Sequence, residues 1–177
     1  QEISPSSEVP FSDTQDPIAA KAYAVGLTLG YGDGAFRPDR LLTRQEFFVF
    51  TARFLQVTGL PTEVQGAPLE DFADVDAVSA WAMESTCQMV TLGVVRGTGG
   101  TLDPLGNTTC EQALAMFYRA YICLSGDSLS TLTSPQEKYP NLSPWAKEEI
   151  EAMDELALIP ERFLGRDMVL PITRGEM

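Results

Sequence analysis

The chain has 177 residues, 44% of them apolar, and carries 12 Lys and Arg against 25 Asp and Glu for a formal net charge of −13. A packed interior is within reach of such a composition, but nucleic acid and anionic membrane surfaces are poor partners, because phosphates need a basic footprint. Histidine is absent, which removes the commonest general base and the commonest metal ligand, and no apolar run is long enough to span a bilayer.

In chain order, Asp16-Pro17 marks a first helix start, with Ser12 as the candidate upstream, and Ile18, Tyr23, Val25 and Leu27 recur at helical intervals. The loop "GYGDGAFRPD" follows. Its order fits neither an EF-hand nor a dinucleotide or Walker pattern. Its glycines read as a helix end with positive φ, while Phe36 and Pro38 pin the loop to the core. Thr43-Arg44-Gln45-Glu46 then opens "EFFVFTARFL", apolar on nearly every side and so expected to be central. A turn-rich linker runs from Thr58 to Pro68.

The second stretch repeats this plan. Ser79 and Trp81 precede Met83, Cys87, Val90 and Leu92; a "GTGG" loop and Asp103-Pro104 follow; Thr109-Cys110-Glu111-Gln112 opens "EQALAMFYRAYICL". After the linker from Ser125 to Pro140, Ser143 reads as an N-cap, Pro144 as the first helical residue and Trp145 as the start of an apolar face shared with Ile150 and Met153. Pro160 ends that helix, and Thr173-Arg174-Gly175-Glu176 lies close to the C-terminal residue.

The three tetrapeptides start 66 and 64 residues apart, and Ser12, Ser79 and Ser143 precede their second residues by 32, 31 and 31 positions. Three units of one plan therefore account for the chain. The expected boundaries are a tail over 1–10 and repeats over 11–60, 69–125 and 139–177, the last cut short at its second helix. The expected fold is all-α, three helix-loop-helix repeats in a pseudo-threefold arrangement with central second helices and outer loops. With the third central helix nearly missing, an apolar groove along residues 43–55 and 109–124 would invite self-association or a partner helix.

Each tetrapeptide has the form of a capping box: Thr43 with Glu46, Thr109 with Gln112, and Thr173 with Glu176. That does not explain Arg44 and Arg174, since a cation in the first helical turn opposes the macrodipole. Two readings stand: an ion pair with Asp39 or another local acid, or an anionic ligand held with free helix-terminal amides. The basic residues are nine arginines and only three lysines, and arginine suits bidentate carboxylate recognition. The three cysteines, Cys87, Cys110 and Cys123, have neither zinc nor disulfide-framework spacing; a single bridge stays open, and three largely buried free thiols are the favoured reading. Gln1 at the start, without a signal peptide, fits a mature secreted protein or an excised fragment.

These motifs resemble S-layer homology repeats. "GYGDGAFRPDRLLTRQEF" is similar to the family's loop and helix start almost throughout; the second unit keeps "FADV", "WA" and "GTGG" but has Cys110 and Gln112 for Arg and Glu; the third keeps "SPWAKEEIEAM" and "ITRGE" but has lost the glycine loop. The resemblance implies a secreted, non-catalytic module at the bacterial cell surface that binds secondary cell-wall polysaccharide, commonly at a ketal-linked pyruvate on an amino sugar. No metal or other cofactor is implied. Carried over by motif, the grooves would join Arg44 with Tyr31, Asp33 and Arg37 and with Ser79 and Trp81 of the next unit, and would likewise use Arg174. For Ser143 and Trp145 the residue at the arginine position is Cys110. The tryptophans would be sugar platforms, though each also begins an apolar face and so reads equally as core filler.

Two other classes compete. Acid pairs such as Asp74/Asp76, Glu148/Glu149 or Asp154/Glu155 could in principle act as glycosidase carboxylates, but they fall on stretches that read as solvated. The alternative to an anchor is a degenerate repeat scaffold for protein assembly without carbohydrate binding.

Overall fold

The computed structural model describes residues 10–60, 69–126 and 139–177, so nearly all of the expected tail and the linker stretches 61–68 and 127–138 lie outside the described residues. Five α-helices carry the architecture: α1 (Pro17–Ala24), α2 (Arg44–Val57), α3 (Met83–Thr91), α4 (Cys110–Ser125) and α5 (Lys147–Glu155). Short 3₁₀ turns flank them, and among the described residues there is no strand, only isolated β-bridges. The chain is all-α.

Local chemistry starts and stops these helices. Asp16 caps α1 by accepting from the Ile18 amide at 2.8 Å. Ahead of α2, the Thr43 amide and hydroxyl both donate to Glu46 Oε2, at 2.9 and 2.8 Å. Ahead of α4, Thr109 N donates to Gln112 Oε1 while Gln112 N donates back to Thr109 Oγ1, the reciprocal box. Thr173 N likewise donates to Glu176 Oε2 at 2.8 Å. At the far ends, Gly26, Gly93 and Gly126 take positive φ, while at the end of α5 that conformation falls to Ala157, with φ 53°.

α3 and α5 start later than the serine spacing suggests. Their N-caps are Ala82 and Ala146. Both alanines are fully buried and head parallel stripes, Ala82/Thr86/Met89 and Ala146/Ile150/Met153. Ser79 and Ser143 are held instead from elsewhere: Gln45 Oε1 accepts from the Ser79 amide at 2.9 Å, and the Glu111 carboxylate accepts from both the amide and the hydroxyl of Ser143 at 2.9 and 2.7 Å. Trp81 and Trp145 precede their helices and remain 58% and 51% exposed, so neither fills the core.

The main core gathers Phe47, Phe48 and Leu55 of α2, Met89 of α3, Leu114 and Met116 of α4 and Ile150 of α5, sealed by Leu42, Leu102, Met168 and Ile172 from the loops. Phe47 meets Phe117 edge-on at 5.1 Å, which locks α2 to α4. Each fully buried large side chain contributes about 1.5–3 kcal/mol relative to exposure. Cys110 is fully buried at the start of α4, and burial pushes its thiol up to about 11. Cys87 and Cys123 are only half-buried, so the expectation of three largely buried thiols holds for Cys110 alone.

The segments before the three tetrapeptides tie together at the centre. Leu42 N donates to Ile172 O at 3.0 Å, Ile172 N to Thr108 O at 2.9 Å, and Thr108 N to Leu42 O at 2.8 Å, closing a ring of backbone hydrogen bonds. Next to the ring each capping turn docks on a foreign loop. Arg44 N and Gln45 N donate to Gly106 O and Pro104 O, Cys110 N and Glu111 N to Leu170 O and Met168 O, and Arg174 N and Gly175 N to Arg40 O and Pro38 O.

Candidate functional site

That docking corrects one expectation at once. The helix-terminal amides that would have held an anion are engaged by loop carbonyls, so a ligand meets the arginine side chains and not the backbone of these turns. The docking also decides which loop each arginine reaches. Arg44 Nε donates to Leu102 O at 2.7 Å, and Arg174 Nε to Phe36 O at 2.8 Å with a second bond to Thr28 Oγ1 at 3.2 Å. They are only 8% and 9% exposed, and among the described residues neither forms an ion pair with a carboxylate, Asp39 included. Burial pulls the Arg44 guanidinium below its ordinary value, against the pull of Asp103 and Asp74, yet an arginine so placed stays charged.

The loops are shaped to receive them. Asp13 accepts from the amides of Phe36 and Arg37, both at 2.7 Å, and Asp74 accepts from those of Leu102 and Asp103 at 2.8 and 2.7 Å. Each carboxylate thereby fixes the carbonyl to which an arginine docks. Gly30 and Gly97 allow the same turn in both loops, at φ 66° and 67°. A Cβ there would stand 2.4 Å from the Phe11 ring and 2.6 Å from the Phe72 ring.

Two grooves result. The first, about 430 Å³, is lined by Tyr31, Arg40, Glu46, Arg53, Trp81 and Arg174, with the backbone of 27–30 at its side. Tyr31 is its floor: Arg174 and Arg37 lie over the ring with guanidinium carbons 4.8 and 4.2 Å from its centroid, and its hydroxyl donates to Glu46 Oε1 at 3.0 Å. Burial, against the pull of Arg174 and with the help of Glu46, holds the Tyr31 hydroxyl above its ordinary value. Arg40 pairs with both Tyr31 and Glu46. The second groove, about 530 Å³, is lined by Arg44, Arg96, Gly97, Gln112, Arg119, Trp145 and Glu149. A third, apolar cavity of about 260 Å³ lies between α4 and the third segment, among Phe117, Tyr121, Leu124, Met153, Pro160 and Phe163, and touches α2 only at Phe54.

The residues singled out in the sequence are thus brought together in a different grouping. Tyr31 and Trp81 share their groove with Arg174, not Arg44. Trp145 shares its groove with Arg44, while Cys110 is buried against the loop that ends at Pro171. The reason is the ring: each capping turn covers the loop of another segment, not its own. Asp33 and Arg37 pair with each other at 2.7 Å on the outer side of Tyr31, and neither lines the groove. Ser79 and Ser143 stand at the base of the tryptophan turns, bonded to α2 and α4 and outside the lining. The sequence reading passed over Arg53, Arg119 and Asp13, and it named Glu149 and Asp74 only as members of acid pairs. The first two lie ten residues after Thr43 and Thr109, a spacing that was there to be seen.

The S-layer homology domain matches residues 17–48 and 71–114. A cell surface protein of Thermoanaerobacter kivui is 34% identical over 117 residues, covering 63% of this chain and 15% of its own length. Cell surface glycoprotein 1 of Acetivibrio thermocellus is 32% identical over 124 residues, covering 64% of this chain and 5% of its own length. The chain therefore spans a small part of these relatives. Over residues 17–48 and 71–114, in an all-α build, the chain carries S-layer homology domain sequence.

Proposed function

We propose that this chain is a non-catalytic anchoring module of the bacterial cell surface that binds secondary cell-wall polysaccharide, and that the bound feature is the carboxylate of a pyruvyl ketal on an amino sugar. The observation that carries the reading is the pairing, in two separate grooves, of a buried arginine that has no carboxylate partner among the described residues with an exposed tryptophan. A guanidinium with outward nitrogens suits one carboxylate, and an exposed indole suits the apolar face of a sugar ring. In this reading Arg174, Tyr31 and Trp81 serve one groove and Arg44 and Trp145 the other; Asp33, Arg37, Ser79 and Ser143 hold the walls. The repeats are those bounded at 11–60, 69–125 and 139–177, arranged about the central ring as a pseudo-threefold axis. The net charge of −13 does not oppose this, since screening over about 8–10 Å leaves the local arginines dominant. Two weak grooves on one polymer give firm attachment by avidity.

The non-catalytic part is supported by where the acids go. Asp74 holds backbone amides, Glu149 pairs with Arg119 and Asp154 accepts from Tyr139, so each candidate pair has a structural use for one member. The apolar cavity between α4 and the third segment is the one observation that favours the assembly scaffold as a second reading. Concentration-dependent sedimentation velocity separates the two, since an anchor that acts alone stays monomeric.

The anchor reading is tested by co-sedimentation with cell-wall sacculi, before and after mild acid removal of ketal pyruvate, for the native chain and for Trp81→Ala, Trp145→Ala and the double variant. Binding that falls on acid treatment, weakens in each single variant and vanishes in the double supports it. Binding indifferent to both treatments overturns it.

A further inference from the structure

The two grooves follow one plan but differ in how their cations are paired. Arg53 and Arg119 occupy the same place, ten residues after Thr43 and Thr109, and both line their grooves. Arg119 is neutralised: Nε and Nη2 donate to the two Glu149 oxygens at 2.7 and 3.0 Å, and Nη1 donates to Val94 O at 3.1 Å. Arg96 approaches the same carboxylate at 3.8 Å. Arg53 has no hydrogen bond or ion pair among the described residues. Glu149 stands four residues after Trp145, and the residue four after Trp81 is Ser85. The acid that quiets the second groove is missing from the first.

The consequence is two uncompensated guanidinium groups on one wall. In the first groove Glu46 is matched by Arg40, which leaves Arg174 and Arg53 facing the cavity without a carboxylate. Burial, and then the neighbouring charge of Arg174, push the Arg53 guanidinium below its ordinary value, as expected for like charges held close. In the second groove Arg44 alone among the buried cations lacks a carboxylate. Both linings hold three arginines and one glutamate, so the difference lies in pairing: in the Arg44 groove Glu149 holds Arg119 and draws the exposed Arg96, whereas in the Arg174 groove Arg53 is left to meet a second anionic group. A cavity of about 430 Å³ has room for a sugar with two substituents.

We propose that the Arg174 groove selects a saccharide carrying two anionic groups, one at Arg174 and the second at Arg53, whereas the Arg44 groove is indifferent to the second. This rests on the reading of both grooves as polysaccharide sites. It adds a difference of specificity between them: along one polymer, the Arg174 groove would settle on the doubly charged unit.

The protein contains two tryptophans, one in each groove, so the ¹⁵N indole signals of Trp81 and Trp145 report the sites separately. Two probes are titrated: the methyl glycoside of a pyruvyl-ketal N-acetylhexosamine, with one carboxylate, and the anomeric methyl phosphodiester of the same sugar, with a carboxylate and a phosphate. The expected result is at least tenfold tighter binding of the diester at Trp81 and less than a threefold difference at Trp145. Ser85→Glu, which restores the missing acid, and Arg53→Gln, which removes the cation, should each cancel the preference at Trp81 and leave Trp145 unchanged. Equal affinities of the two probes at Trp81, or a preference that survives both variants, overturns the proposal while the anchor reading stands. If neither indole responds to either probe, the groove reading fails and the proposal with it.

Discussion

Arg174 donates through Nε to the carbonyl of Phe36, 138 residues earlier in the chain, at 2.8 Å. One side chain therefore both closes the fold end to end and supplies the cation of a groove. Arg174→Lys should separate these roles poorly, since an ammonium cannot reproduce the fixed fork that reaches Phe36 O and Thr28 Oγ1. Loss of two largely buried bonds predicts about 1–3 kcal/mol of destabilisation, measured as a lower urea midpoint at unchanged slope.

The loop glycines make a second, graded prediction. Gly30→Ala and Gly97→Ala combine positive φ with a clash against an aromatic ring and should each cost about 1–3 kcal/mol. Gly32→Ala, in the same loop, meets nothing within 4 Å and does not sit at positive φ, so its melting temperature should match the native protein's. Thermal scans of the three variants side by side check the order.

At Ala157 the same logic runs in reverse. A residue with a Cβ stands in the left-handed region at the end of α5, where Gly26 and Gly93 stand at the ends of α1 and α3. Ala157→Gly should relieve that strain and, after the entropy added to the unfolded chain, stabilise by up to about 1 kcal/mol. A raised urea midpoint is the expected readout.

Acid and alkali should act through different residues. Burial alone would raise Glu46, but hydrogen bonds from Thr43, Arg40 and Tyr31 outweigh it and hold the carboxyl below its ordinary 4.5. Its folded-state value is depressed, so its contribution is complete above pH 4.5 and is lost as pH falls through that lower value. Cys110 is raised from 9.0 to about 11, so the stability tied to its neutral thiol is complete below pH 9 and is lost as pH rises towards 11. Stability measured against pH should therefore fall at both ends, with Glu46→Gln flattening the acid limb and Cys110→Ala the alkaline one.

What the sequence makes legible here is what a single turn can encode. Thr43 with Glu46 and Thr109 with Gln112 lie within one helical turn, and the apolar repeats of α2 and α4 follow directly, so an all-helical chain can be read without coordinates. The starts of α3 and α5 cannot. Ser79 and Ser143 look like caps, but their amides answer to Gln45 and Glu111, 34 and 32 residues away, and buried alanines begin the helices. The tryptophans look like core residues because they sit at the head of an apolar period, yet the chain is not helical there. The grouping of the site failed for the same reason. Whether Arg44 or Arg174 reaches Tyr31 depends on the order in which distant segments close, and nothing local records that order.

The central ring carries a consequence for how this molecule is made. Its three backbone bonds join Leu42, Thr108 and Ile172, residues 66, 64 and 130 positions apart; each needs two distant segments to meet, and the ring closes only when all three have. Topology of this kind slows folding and couples it, because each closure loses chain entropy before its neighbour returns any stabilisation. No single repeat owns a finished capping turn, so an isolated one has no reason to persist. Folding should appear as one late, cooperative event in which the first residues wait for the last.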